Sequence, residues 1–371
     1  MKLLTASVAT LLIYTSTVIS TPTRQFEKFL GGWDGLIQGY LRNNCSDQYA
    51  AYLTGNVNYT VGAESLVNPV LDCVLGVFPE SRKAELGTSA LILGLIPTIL
   101  QTIGSTTAET ALVGYRRPLL GFLLSAGSPT VAMMKSREFA QSIAEFVEGG
   151  NPRDLEIPGL GWSRVPAKMG ILVSIAEYIL VGGAVANVVY LAWQLGVHAI
   201  AIFAPNTVFG VPLWTLGAAI IHLAGVLALW LRVRMRNVDA KDGDEFARRT
   251  ETLNTWVPTQ FLPAAFHPSM RLEWRQESLL FYFLTWAISI GILLQVVFGT
   301  LVLSGLLFFS LADSLGIVGR YILSAIICRG IVRLELSGMV ASMAPNKGRG
   351  SKESVETEQI VLTSWKQPQE M

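Results

Sequence analysis

Two ionisable side chains lie in stretches where water should be scarce. Glu177 falls inside the apolar run 169–194, and His222 inside the apolar run 210–231. Charge at such positions is costly unless it is paired or protonated, so these residues are the first place to look for chemistry. Glu177 is eight residues from the start of its run and His222 nine from the end of the next. At the helical rise both would sit ~12–14 Å deep. The two runs are consecutive and antiparallel, so the pair is expected at one depth. A Glu177–His222 contact would hold a proton and change charge with pH, which is the chemistry of proton-linked transport or of pH sensing. The competing reading is polar glue, in which a paired or protonated Glu177 stabilises helix packing by ~0.6–2 kcal/mol. The residues alone favour glue.

Other polar residues carry weaker signals. Arg116 and Arg117, with Glu109, flank a short apolar stretch; an arginine pair there would suit a lipid phosphate or another anion, or serve as an ordinary basic flank. Asn187 and Gln295 read as interhelical hydrogen-bonders, and Gly182 with Ala186 as a small-xxx-small pair for close helix approach. Trp193, Trp214 and Trp230 fall near the ends of runs, as an interfacial aromatic belt would place them. His198, His222 and His267 are scattered, which argues against a histidine metal site. No HExxH, Walker, G-x-S-x-G or dinucleotide motif occurs, and Asp242-Gly243-Asp244 reads as a solvated turn rather than a metal–nucleotide ligand pair. The expectation is therefore a protein that is not an enzyme, with no cofactor, no metal and no catalytic residue.

The elements that position these residues are membrane spans. Only 15% of the 371 residues are charged, 51% are hydrophobic, and the apolar residues come in long runs. That pattern marks bilayer spans, since soluble domains carry ~25% charge. A net charge of +1 gives no field that would attract nucleic acid. Spans are read at 86–104 (with Pro97), 169–194 and 210–231. The 35-residue run 278–312 reads as two tightly joined spans or as one long kinked helix. The run 118–134 is short and broken by Gly, Ser and Pro, and reads as a re-entrant or packed half-helix. The stretch from Asp313 to Leu336 is mixed in charge and reads as a helix packed between the bundle end and the loops. The resulting fold class is all-α, a multi-pass transmembrane bundle of about five spans.

The N-terminus reads as secretory. Lys2 precedes the apolar stretch Leu3 to Ile19, and Val18 and Ser20 suit cleavage before Thr21; an uncleaved anchor would deliver Thr21 to the same side. The segment 21–85 holds Cys45 and Cys73, expected as a disulfide in an oxidising compartment, and the sequons at Asn44 and Asn58. Cys328 reads as a buried thiol. Basic residues then set the orientation: segments 105–168, 232–277 and 313–371 carry seven, eight and seven Lys or Arg, and 195–209 carries none. By the positive-inside bias the first three face the cytoplasm and the last faces the exterior or lumen. The organisation expected is a signal peptide at 1–20, an extracytoplasmic segment at 21–85, a transmembrane helical region at 86–340, and a polar tail at 341–371.

The stretches 95–129 (LIPTILQTIGSTTAETALVGYRRPLLGFLLSAGSP) and 298–336 (FGTLVLSGLLFFSLADSLGIVGRYILSAIICRGIVRLEL) resemble a group of uncharacterised multi-pass membrane proteins from filamentous fungi. In that group a Pro-Thr span leads to an Arg-Arg-Pro turn, and a Phe-Gly-Thr-Leu span leads to a Gly-Arg-Tyr helix. The likeness covers about a fifth of the chain. It implies kinship and a shared fold and carries no catalytic residue across. The functional expectation is a membrane organiser, sensor or accessory subunit of the plasma membrane or endomembranes. Its partners would be the bilayer itself and anionic lipid at the basic loops. The alternative is a small-solute or proton-linked transporter built on Glu177 and His222.

Overall fold

The computed structural model describes residues 24–54, 67–134, 138–139, 141–143, 167–205, 207–237, 260–266, 270–276 and 278–343. Signal residues 1–20, the Asn58 sequon, Asp242-Gly243-Asp244, His267 and most of the 341–371 tail lie outside these.

Among the described residues five helices are long and apolar enough to cross a membrane, which marks a multi-pass membrane protein. Three short helices precede them: α1 (Asp34–Asn43), α2 (Ser46–Thr54) and α3 (Val67–Val77). The first long helix, α4 (Glu80–Ile103), tolerates Pro97 because Pro97 is buried against neighbouring helices. Two short helices, α5 (Thr107–Arg116) and α6 (Pro118–Gly127), follow. Then come α7 (Ala167–Val197), strand β1 (Ile200–Ala201), α8 (Gly210–Arg232) and strand β2 (Val233–Asn237). Strand β3 (Met270–Trp274), α9 (Leu279–Ser304), strand β4 (Leu306–Leu307) and α10 (Leu311–Met343) complete the order.

The expected number of spans holds, but the fifth is not where the sequence reading put it. The run 278–312 contains one span, α9, which ends at Ser304. The chain then turns through Gly305 and the β4 residues, with Phe308 in the left-handed region at φ 67 and its ring buried. The fifth span is α10, the stretch from Asp313 to Leu336 that had been assigned to the bundle's end. The charged residues that disguised it, Asp313, Arg320, Arg329 and Glu335, are hydrogen-bonded to partners from other segments.

At one end, α1–α3 form a small unit around Phe26, Trp33, Ile37, Leu41, Tyr52, Val70 and Val74. Cys45 and Cys73 are joined as a disulfide. This unit is seated on the connections between the long helices. Leu30 N–H donates to the His198 carbonyl at 2.9 Å, and the Phe29 and Phe308 rings meet edge to face at 5.4 Å. Strands β1 and β4 pair antiparallel beneath it, tying the α7–α8 connection to the α9–α10 connection. Ser310 and Asp313 form reciprocal bonds at the start of α10, as in a capping box. The same Asp313 carboxylate accepts Gly32 N–H at 3.0 Å. Gly31, at φ 120, lets the turn pass against Asp313, where a Cβ would come within 2.6 Å of the carboxylate oxygen.

At the opposite end the segment read as a loop contains a ribbon. β2 pairs antiparallel with β3, Val233 opposite Trp274. The core between the ends is continuous through α4, α8, α9 and α10. Trp214 is fully enclosed there, so it is a core residue rather than a belt residue; Trp193 and Trp230 remain exposed. Gly182 also departs from expectation: a Cβ added there meets nothing within 4 Å, so it does not serve close packing inside the fold.

Candidate functional site

The site begins with the dipeptide Arg117-Pro118. Proline disfavours helical backbone in the residue before it and suits the first position of a new helix. Arg117 accordingly leaves the helical region (φ −128, ψ 78), ending α5 and starting α6. The corner is tight: Gly114 and Gly121 face each other, and a Cβ on Gly121 would lie 2.3 Å from the Gly114 Cα. The turn aims the Arg117 side chain inward, between α7 and α10, where it is 0% exposed.

Every N–H of that guanidinium is committed. One terminal nitrogen donates to Glu177 Oε2 at 2.5 Å and to Glu335 Oε1 at 2.7 Å. The other donates to Ser174 Oγ at 2.6 Å and to the Gln260 carbonyl at 3.0 Å. Nε donates to the same carbonyl at 3.1 Å. Five donations onto four acceptor atoms, the Gln260 carbonyl taking two, use the full capacity of an arginine. Ser174 and Glu177 are one turn apart on α7 and so share a face. Tyr178, next on that helix, places its ring 5.3 Å below the guanidinium and donates its hydroxyl to Gln260. Gln260 Oε1 in turn accepts Leu119 N–H, and Ala264 N–H donates to Glu335 Oε2 at 3.3 Å.

Two carboxylates from different long helices therefore converge on one nitrogen, with their bonded oxygens no more than about 5 Å apart. Glu177 Oε1 is buried with no partner among the described residues. Arg116 is buried beside Arg117. The site lies within the apolar band, because Met169, Ile171, Leu172 and Ile175 remain exposed on α7 beyond Glu177.

The structure does not join Glu177 to His222. The Glu177 carboxylate is taken by Arg117, while His222 Nε2 lies 3.2 Å from the Thr130 carbonyl and Nδ1 is buried without a partner. The matched depth estimated from sequence was not enough, because α5, α6 and the chain after them come between the two faces. Nor do Arg116 and Arg117 present themselves to lipid headgroups. Both are buried, and Arg117 has no donor left for a phosphate.

The half-helix reading of 118–134 fits the structure. α6 is ten residues long and packs on α5, α7 and α8, and the chain from Ser128 to Met134 runs back without regular structure. Its backbone is bonded inside the fold: Ala132 N–H donates to Ser105, and the Met134 carbonyl accepts from Ser289. Such irregular backbone at membrane depth is tolerated only where protein covers it. Arg329 adds a bond to the Gly104 carbonyl at the end of α4 and lies 3.9 Å from Glu109.

Asn187 and Gln295 do bridge helices. Asn187 binds the Arg320 carbonyl and Ser324, and Gln295 exchanges bonds with the Trp214 backbone and indole. Glu335 was the candidate residue that sequence reasoning passed over; the signal available was an acidic residue between apolar turns near the end of a helix of mixed charge. Among the described residues no group of His, Cys, Asp and Glu is placed to hold a metal ion. The chain matches no protein-family model, no curated protein and no solved structure.

Proposed function

We propose that this membrane protein is a non-enzymatic, pH-responsive component, a sensor or accessory subunit, whose working part is the Arg117–Glu177–Glu335 cluster. The observation that carries this is the convergence of two buried carboxylates on one guanidinium nitrogen. Like-charged carboxylates this close, away from water, do not both ionise freely, and an added proton relieves the repulsion. Arg116, Arg117 and Tyr178 are the other charged or titratable groups facing them. The cluster pins α6 to α7 and α10, so its proton occupancy sets how firmly the re-entrant helix is held. The test is hydrogen exchange of residues 118–127 in the lipid-reconstituted chain. Exchange, corrected for its intrinsic pH dependence, should rise between pH 6 and 8 in the wild type and become flat in Glu335→Gln. An identical pH response in that variant would overturn the reading.

A second reading, proton-linked transport of a small solute, is favoured by one observation: a half-helix and irregular backbone sit at membrane depth beside the charges, as in carriers with broken helices. It now rests on Glu177, Glu335 and Arg117 rather than on Glu177 with His222. Uptake by proteoliposomes that needs a pH gradient and disappears in Glu177→Gln would favour it over the sensor reading.

The orientation belongs to this proposal. Support comes from the shared end of the disulfide unit and the 198–209 connection, which carries no Lys or Arg. Asn44 is exposed on that unit, as a glycosylation site must be. The secretory route, glycosylation at Asn44 and Asn58, kinship with fungal membrane proteins, and contact of basic loops with anionic lipid complete the picture.

A further inference from the structure

The α7–α10 seam carries a second polar cluster, and its charge is not balanced. Arg320 lies nine residues beyond Leu311 in the fifth span, ~13 Å along the helix and so near the middle of a ~30 Å hydrocarbon layer. Its Nε donates to Asn187 Oδ1 at 2.9 Å and one terminal nitrogen donates to Gln194 Oε1 at 3.1 Å. Its carbon centre lies 5.7 Å from the Tyr190 ring. All these partners are neutral, and the remaining N–H groups of the guanidinium have no partner among the described residues. Arginine retains its proton in proteins, so this span carries a full positive charge with no carboxylate beside it.

The surface around Arg320 is open and shallow. Gly183 and Ala186 on α7, and Gly316 and Gly319 on α10, are exposed. A Cβ built on Gly183, Gly316 or Gly319 meets nothing within 4 Å. Small residues with no neighbour let a further helix approach closely.

We propose that this face docks a transmembrane helix of a partner protein that brings a carboxylate to the depth of Arg320. Charge complementarity selects that occupant, since an acid at this depth would neutralise the guanidinium and use its free donors. Among the described residues, the acids on the long helices and at their ends in a second copy of the chain do not supply it. Glu177 and Glu335 are enclosed and bonded to Arg117, Glu109 is bonded to Thr106, and Glu85 and Asp313 are engaged at helix ends. The inference stands apart from the proton chemistry at Arg117, and failure of either leaves the other intact.

The test uses the full chain in phosphatidylcholine vesicles with a donor dye at its C-terminus. The probe is a ~20-residue Leu/Ala helix with one central Glu and an acceptor dye, compared with the same helix carrying Leu instead. Energy transfer should report at least tenfold stronger association for the Glu helix. That preference should vanish in Arg320→Gln, persist in Arg320→Lys, and vanish again in the Gly183→Leu/Gly319→Leu pair. The added side chains of that pair point into open space and leave the melting temperature unchanged. Equal association of the two helices would overturn the proposal, as would a Glu preference that survives Arg320→Gln. Displacement of the helix by phosphatidylglycerol would assign Arg320 to a lipid phosphate, and transfer between two labelled copies blocked by the Gly pair would assign the face to self-association. Either result also overturns it.

Discussion

Replacing Arg117 by Met removes a side chain of similar length together with five hydrogen bonds, and the consequences differ for the two carboxylates. Among the described residues Glu177 would lose the one partner of Oε2, while its Oε1 already has none there. Glu335 would lose its Oε1 partner but keep Ala264 N–H on Oε2. Breaking a buried ion pair from one side costs about 3–5 kcal/mol, chiefly because the remaining charge is left uncompensated. Arg117→Met should therefore destabilise the chain by about that amount. Removing the orphaned acid as well should recover most of it, since apolar replacement of a whole buried pair is often close to neutral. The asymmetry gives the sharper forecast: Arg117→Met/Glu177→Leu should recover more stability than Arg117→Met/Glu335→Leu. Equilibrium unfolding of the purified chain in mixed micelles, with each variant measured at one pH, supplies the comparison. A loss below about 1 kcal/mol for the single variant, or equal recovery in the two doubles, would show that the cluster is not the pin described here.

Four other outcomes follow from named contacts. Gly121→Ala should destabilise by several kcal/mol in the same unfolding assay, because its Cβ would collide with the Gly114 backbone, whereas Gly182→Ala should be near neutral. Gln295→Leu should cost ~1–2 kcal/mol, since it removes the side-chain bond to the Trp214 carbonyl that bridges α8 and α9; a change within error would refute this. Reducing the Cys45–Cys73 disulfide, whose cysteines are 28 residues apart, should destabilise the N-terminal unit by about 3–4 kcal/mol in the chain-entropy picture. Faster proteolysis confined to residues 24–78 would register it. Asp313→Asn should loosen the same unit without reduction, because the carboxylate is bonded to the Gly32 backbone and to Ser310, and the same protease cuts would report it.

Much of the scaffold was legible because burial in a bilayer imposes long apolar runs. Helices at 80–103, 169–197, 210–232 and 279–304 follow from that rule, as does the half-helix at 118–127 from its brevity and its Pro and Gly residues. The cysteine pair was legible from its isolation in one segment. The fifth span was obscured by Asp313, Arg320, Arg329 and Glu335, whose partners on other segments lie 71 to 281 residues away in sequence. No local window contains Asn187, Gly104 or Arg117, so a span whose charges are satisfied from elsewhere reads as a mixed surface helix.

The functional pair failed for a related reason. Depth along two adjacent helices was estimated correctly enough to place Glu177 inside the apolar band, but depth does not fix which way a side chain faces. The Arg117-Pro118 corner decides that by delivering a guanidinium to the α7 face that carries Ser174 and Glu177. Its separation from Glu335 by 218 residues left no trace in the sequence pattern.

The proposal is that the carboxylate pair converging on Arg117 carries a proton as a unit, and infrared spectroscopy of the reconstituted chain tests it most directly. The account predicts a carbonyl stretch from a protonated, non-exchanging carboxyl group near neutral pH, lost on raising the pH and altered in both Glu177→Gln and Glu335→Gln. A spectrum with no such carboxyl, or one unchanged in both variants, would contradict it and leave the cluster as a fixed structural pin.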